Sequence, residues 1–210
     1  MRWIAQVISA LGSPRLGPRN LVDLRGPTFA VFVDTMSIFE VLGRQQHQIE
    51  ELIEDTIQQM AKGQKELAFV TFQLLSNKLV ACMRAEHAAV YPRLEREAGL
   101  VTEVAQARAE HEAIEEAITR LRVAGLRRSA WLVELSNLAR LVEQHAELEE
   151  FTLFPIAALT FSAEQLAAIG REFTAALAVA STVADAAITY ETAEFEPLPT
   201  RVVRVTPKAA

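Results

Sequence analysis

Hydrophobic side chains in the middle of the chain recur with the period of an α-helix. Beyond residue 37 an apolar residue returns about every three or four positions, and Ser37 with Glu40 forms a capping box. This pattern predicts a first helix from Ile38 to about Gly63. Its apolar stripe consists of Phe39, Leu42, Ile49, Ile53, Ile57 and Met60.

The same periodicity continues in the segments that follow. They predict three further helices, over about residues 65–92, 101–121 and 130–154. A second capping box at residues 162–165 predicts a fifth helix that ends near Ala180. Since short loops join long helices, we expect an all-α protein built on an up-down-up-down antiparallel four-helix bundle, with an additional C-terminal helix.

Both ends of the chain differ from this middle part. Residues 1–35 form an N-terminal extension with a short apolar start, interrupted by polar residues, and a stretch rich in Gly, Pro and Arg. We interpret that start as a short amphipathic helix rather than a signal peptide. Residues 36–180 form the bundle. Residues 181–210 contain three prolines and the run RVVRV, which predicts an extended C-terminal tail.

Composition narrows the class of protein. The chain has 210 residues, of which 50 % are hydrophobic, and 21 basic against 27 acidic residues give a net charge of −6. This acidic balance argues against a nucleic-acid surface. An uninterrupted apolar run of membrane-spanning length is missing from the sequence, so we expect a cytoplasmic protein without a membrane span. The single cysteine excludes an intrachain disulfide and a cysteine-rich zinc site.

An internal repeat marks the candidate chemistry. The segment from Cys82 to Pro92 aligns with the segment from His145 to Pro155, 63 residues later, and both carry a glutamate at the fifth position and an aromatic residue before the proline. In the second copy, His145 and Glu149 are four residues apart and therefore project from one face of a helix. An imidazole and a carboxylate on one face can hold a metal ion.

The pattern resembles the hemerythrin-like HHE cation-binding family over about residues 36–178. In that family a four-helix bundle holds a non-haem di-iron centre, with the ligand order His, His-x-x-x-Glu, His, His-x-x-x-Glu. The resemblance implies iron as the cofactor, in a mono- or dinuclear site. It rests on the segments 39–49, 84–86, 109–114 and 145–155, together with Tyr91-Pro92.

The first half of the chain departs from the family pattern. Cys82 stands where the family has a histidine, and Gln46 stands where the first histidine is expected, with His47 one residue later. On a helix, His47 points about 100° away from the inward face. His87 is displaced by the same angle, so a second site of His47 and His87 between helices 1 and 2 is a further possibility. The candidate metal ligands are His111, His145, Glu149, Glu86, Cys82 and His47.

Three outcomes are compatible with this ligand set: an altered dinuclear site that uses Cys82 or His47, a mononuclear site, or a site without metal. Since buried carboxylates and imidazoles need partners, we favour a bound metal. The second half offers two imidazoles and a carboxylate. We therefore expect any tightly held ion to lie near His111, His145 and Glu149, with Glu86 completing or bridging the site.

The resemblance implies a non-haem iron protein that binds or senses O₂, NO, peroxide or iron. The alternatives are a peroxide-removing di-iron enzyme and a metal-free helical interaction module. The expected partners are a small diatomic ligand or peroxide, and a second copy or another protein at the C-terminal tail. Outside the ligand set, we expect Trp131 to lie in the core, Tyr91 to serve packing, and the acidic segment 50–55 to form a solvated helix face.

Overall fold

A computed structural model describes residues 36–124 and 128–193 of the protein, and within these two ranges every regular element is helical. This confirms the all-α prediction. None of the described helices has the length and hydropathy needed to cross a membrane. The elements are α1 (Ile38–Ala61), α2 (Lys65–Ala85), the π-helical turn π1 (Glu86–Val90), α3 (Tyr91–Glu97), α4 (Val101–Ala124), α5 (Arg128–Leu148), the π-helical turn π2 (Glu149–Leu153), α6 (Phe154–Thr160) and α7 (Ala163–Ala193).

The predicted helix starts are present as capping boxes. The Ser37 hydroxyl accepts a hydrogen bond from the Glu40 amide, and the Glu40 carboxylate accepts one of 2.8 Å from the Ser37 amide. At the start of α7, the Ser162 amide donates to the side chain of Gln165, and the Gln165 amide donates back to the Ser162 hydroxyl. Each box satisfies two amides that have no partner inside the helix.

Two predicted helix ends were wrong. The second and fourth helical segments continue past Pro92 and Pro155, because a π-helical turn before each proline lets the helix proceed into α3 and α6. The last helix also runs further than predicted, to Ala193, so the extended tail does not begin at residue 181. The remainder of the predicted tail and the N-terminal extension lie outside the described residues.

Helix α7 covers the pair α1 and α2. Helix α1 packs against α2, α4 packs against α5, and α7 contacts both α1 and α2. The close approach of α7 to the start of α1 requires a glycine. A Cβ atom at Gly170 would lie 2.6 Å from the carbonyl oxygen of Met36, nearer than real Cβ contacts allow.

Two apolar clusters form the core, and buried polar residues lie between them. Along α4, Ala107 belongs to one cluster and Ile114 to the other, with His111 between them. Trp131 is fully buried in the second cluster, as predicted, and its indole nitrogen donates to the carbonyl oxygen of Leu121 at 3.2 Å. The polar layer between the clusters contains Glu86, His111, His145 and Glu149, each of which is buried.

Candidate metal site

The two glutamates of the internal repeat each begin a π-helical turn. The Tyr91 amide donates to the Glu86 carbonyl and the Phe154 amide donates to the Glu149 carbonyl, five residues back in both cases. A proline follows each of these amide donors, at positions 92 and 155. A proline has no amide proton, and its ring clashes with the carbonyl four residues earlier. The widened turn relieves that clash, and each glutamate is the first residue of such a turn.

Three buried side chains from three elements converge on one point. Glu86 of π1, His111 of α4 and His145 of α5 each offer a ligand atom, and these atoms all lie within 4.8 Å of one another. The two Nε2 atoms are 2.9 Å apart, and Glu86 Oε2 lies 3.1 Å from His111 Nε2 and 3.9 Å from His145 Nε2. Two ligand atoms at right angles around an ion, each about 2.1 Å from it, are about 3.0 Å apart. The donor set therefore fits a single metal ion.

Glu149 lies at the edge of this group. Its Oε1 is 3.7 Å from His145 Nε2 and accepts no hydrogen bond from any described residue. Its Oε2 accepts a hydrogen bond of 2.9 Å from the side-chain amide of Gln46. One carboxylate oxygen of a residue that is only 2 % exposed is thus left without a donor among the described residues, on the side that faces His145. A metal ion beside His145 would give that oxygen a partner.

The second ring nitrogen of each histidine is also engaged. His145 Nδ1 lies 3.2 Å from Oε2 of Glu110, and His111 Nδ1 lies 2.9 Å from Nε2 of His87. When Nδ1 carries the proton of such a contact, the Nε2 lone pair faces the cluster, where a metal ion would bind. Sequence reasoning missed Glu110 altogether, although it directly precedes His111. It had placed His87 in a possible second site with His47.

Tyr91 is part of the cluster, although the sequence favoured a packing role for it over a place near the metal. Its hydroxyl lies 3.3 Å from Glu86 Oε2 and 3.1 Å from His111 Nε2, and the side chain is fully buried. The π-helical turn between Glu86 and Tyr91 brings the phenol back to the carboxylate that begins the turn. The aromatic residue before proline in both copies of the repeat was the sequence feature that could have indicated this role.

The remaining candidates lie apart from the three converging ligands. His47 is exposed, and its imidazole pairs with Glu50 and Glu51 of its own helix. The Cys82 sulfur is buried and lies 4.0 Å from the side-chain oxygen of Gln45. His47 and His87 are not brought together as a pair, since His87 contacts the site through His111. The structure thus joins His111, His145 and Glu86, with Glu149 adjacent.

Burial and mutual charge set the ionisation of the cluster. Burial and the negative charge of Glu86 raise the pKa of Glu149 to about 8. Burial opposes ionisation of Glu86 as well, but hydrogen bonds from His111 and His145 lower the pKa of Glu86 to about 2. Burial disfavours a charged His145, yet the surrounding carboxylates, Glu149 first, raise its pKa to about 10. Without a metal ion, the protons on Glu149 and His145 therefore offset the repulsion between the buried carboxylates.

The Cys82 thiol is in an environment that disfavours metal binding. Burial, with a smaller contribution from the negative charge of Glu86, raises the pKa of Cys82 to about 12. A thiol binds a metal as the thiolate, so this cysteine must lose a strongly held proton first. Its surroundings belong to the second apolar cluster, next to Leu79 and Met83.

Fold and site together define a helical protein with a buried Glu-His-His group that can hold a metal ion. Residues 37–157 match the model of the hemerythrin HHE cation-binding domain. The match covers more than half of the chain, and the protein belongs to this family. No curated protein and no solved structure is significantly similar to the chain.

Proposed function

We propose that the protein binds one non-haem iron ion through Glu86, His111 and His145, with Glu149 as a fourth ligand. The observation that carries this proposal is the convergence of three buried ligand atoms within 4.8 Å of one another. Two imidazoles and one carboxylate are the ligand set of many non-haem iron(II) sites, and they leave coordination positions open.

A single ion fits the first half of the chain better than the family's pair of ions. Gln46 occupies the position expected for the first histidine, and its amide is committed to Glu149. Cys82 occupies the position expected for the second, and its thiol pKa is raised to about 12. An amide and a protonated thiol are poor ligands for a second iron ion.

The open positions indicate the function that we propose, which is to bind or sense O₂, NO or peroxide. Iron supplies the coordination position for such a small ligand. The chain supplies the surroundings, since the Tyr91 hydroxyl can donate a hydrogen bond and the ligands are buried between the two apolar clusters. We further propose that α1, α2, α4 and α5 form the up-down-up-down four-helix bundle of the family. A cytoplasmic location and association through the C-terminal tail stay predictions from the sequence.

Anaerobic titration of the metal-free protein with iron(II), followed by addition of NO, tests the proposal. We expect one iron ion to bind per chain, and NO to change the visible absorption spectrum of the iron-loaded protein. The same additions to His145→Ala should leave its spectrum unchanged. Rapid turnover of peroxide by the iron-loaded protein would favour the alternative of a peroxide-removing enzyme. A complete lack of metal binding by folded protein would favour a helical interaction module.

A further inference from the structure

A cavity adjoins the metal site between α1 and α5. Its volume is about 490 Å³, within the range of cavities that hold small organic molecules. This is far more space than a diatomic ligand needs. Ile57 of the α1 apolar stripe lines this cavity and is 37 % exposed. The walls are apolar and include Leu42, Ile49, Ile53, Met83, Ile114 and Val142.

Acidic side chains border the cavity. Five glutamates line it, and none of its described lining residues is a lysine or an arginine. Glu86 and Glu149 are at the inner end, with the histidines. The other three are Glu50 and Glu54 of α1 and Glu143 of α5, which come from the two helices that border the cavity.

Glu50 of α1 and Glu143 of α5 line the cavity from the two helices that border it. Burial raises the pKa of Glu50, and the negative charges of Glu150 and Glu143 add to this rise. Glu50 has a partial partner in His47, whose Nδ1 lies 3.9 Å away. Glu143 is exposed and has no ion pair with any residue in the described ranges. A cation bound between the two helices would relieve the repulsion.

The inner end of the cavity also presents acceptors that lack donors. Glu149 is 2 % exposed, and its Oε1 accepts no hydrogen bond within the described part of the chain. The side-chain oxygen of Gln46 is buried and equally without a donor from the described residues. Both atoms belong to residues that line the cavity. The Glu149 oxygen is assigned to the proposed iron ion, and the Gln46 oxygen could accept a hydrogen bond from a ligand in the cavity.

We propose that this cavity binds a small organic cation: a primary amine or quaternary ammonium compound with an unbranched apolar chain. The chain lies along the apolar walls, where burial of its methylene groups stabilises the complex. The cationic head lies between Glu50 and Glu143. This site is separate from the proposed iron function, because neither glutamate at the head position is among the metal ligands.

The test compares three ligands with the same chain length, which are octylamine, octanol and octanoate. Binding to the full-length metal-free protein is measured by calorimetry at neutral pH, so that neither head group can coordinate iron. We expect octylamine to bind at least about tenfold more tightly than octanoate, because the head charge changes sign. Octanol should bind with intermediate affinity. Equal affinity for amine and carboxylate, or no binding of any of the three, would overturn the proposal.

Variants locate the ligand. Glu143→Gln should weaken octylamine binding about two- to fivefold and leave octanol binding unchanged, as expected for one exposed charge pair. Ala139→Phe should abolish binding of both, because Ala139 lines the cavity. Glu147→Gln, an exposed glutamate on the same helix outside the cavity, is the matched control and should change neither affinity. Circular dichroism checks that each variant is folded. Unchanged octylamine affinity in both Glu143→Gln and Ala139→Phe would overturn the assignment, and iron content measured in parallel reports separately on the metal site.

Discussion

The side-chain amide of Gln46 donates a hydrogen bond of 2.9 Å to Oε2 of Glu149. In the family pattern a metal-binding histidine is expected at the position of Gln46, and the glutamate binds the metal. Here the amide proton holds one oxygen of the carboxylate. The other oxygen remains directed toward His145. This contact is the structural reason to expect one metal ion rather than two.

Restoring the two missing histidines should create a second metal position. We predict that the double variant Gln46→His with Cys82→His binds about two iron ions per chain, because it frees Glu149 from the amide and adds two imidazoles. Cys82→His alone should raise metal content by a smaller amount. Iron bound per chain, measured after reconstitution and removal of free metal, checks both values.

Cys82→Ser is the matched control for these variants. If the thiol only fills core space, as its contacts indicate, serine at this position should leave the iron content of the protein unchanged. It should lower stability modestly, because a hydroxyl replaces a buried sulfur. Loss of iron from Cys82→Ser would instead make the thiolate a ligand and would contradict the single site that we propose.

Removal of one ligand imidazole should abolish metal binding. We predict that His145→Ala loses all tightly bound iron, because Glu86, His111 and Glu149 alone do not offset the dehydration of the ion. His47→Ala is the control, since His47 is exposed and its partners among the described residues are Glu50 and Glu51 of its own helix. Metal analysis of both purified variants checks this. Iron retained by His145→Ala and lost from His47→Ala would mean that the site lies elsewhere.

Glu110 should affect the affinity of the site for iron without being a ligand of the metal. Burial opposes its ionisation, but hydrogen bonds from His145, Gln106 and Gln144 lower the pKa of Glu110. The resulting carboxylate fixes the His145 ring and raises its basicity. We predict that Glu110→Gln weakens iron binding about tenfold and Glu110→Ala about 100-fold. Competition with a chelator measures this, and the exposed Glu115→Gln should bind iron like the unmodified protein.

The metal-free protein should lose stability as the pH rises from about 5 to 9. The folded state raises the pKa of Glu149 to about 8 and that of His145 to about 10, so it holds protons that the unfolded chain releases. The free energy of unfolding falls with pH wherever the folded state binds more protons. The contribution of Glu149 to the free energy of unfolding is lost between about pH 4.5 and 8, and that of His145 between about pH 6.5 and 10.

Urea unfolding across this pH range measures the effect. The variant Glu149→Gln should flatten the lower part of the curve, because it removes the first of the two titrations. Bound iron should displace the protons from the cluster and reduce the dependence of the free energy of unfolding on pH. Glu86 acts in the opposite direction: its pKa is lowered to about 2, so its contribution is lost as the pH falls below about 4.5. A rise in metal-free stability from pH 5 to 9 would contradict the proposed protonation of the cluster.

The helices could be predicted from the sequence because their signals are local. Apolar periodicity and the Ser37 capping box specify α1 within a few residues of its observed bounds. Proline was misleading at positions 92 and 155. It is ordinarily a sign that a helix ends, whereas here one extra residue in the preceding turn accommodates it. The continuation of α7 to Ala193 was missed because helical periodicity fades after residue 180.

The candidate site could be predicted only in part, for a similar reason. His145 and Glu149 are neighbours on one helix, and that spacing is visible in the sequence. The contact of Glu110 with His145 joins residues 35 positions apart. It depends on how α4 lies against α5, which periodicity does not specify. Tyr91 reaches the cluster through the shape of a π-helical turn, which regular helical geometry does not describe.

Iron content per chain is the measurement that tests the proposed single-ion site most directly. Metal-free protein is reconstituted anaerobically with excess iron(II), freed of unbound metal and analysed by mass spectrometry against protein concentration. We expect one iron ion per chain, held by Glu86, His111, His145 and Glu149. Two iron ions per chain in the unmodified protein, or none in folded protein, would contradict the proposal.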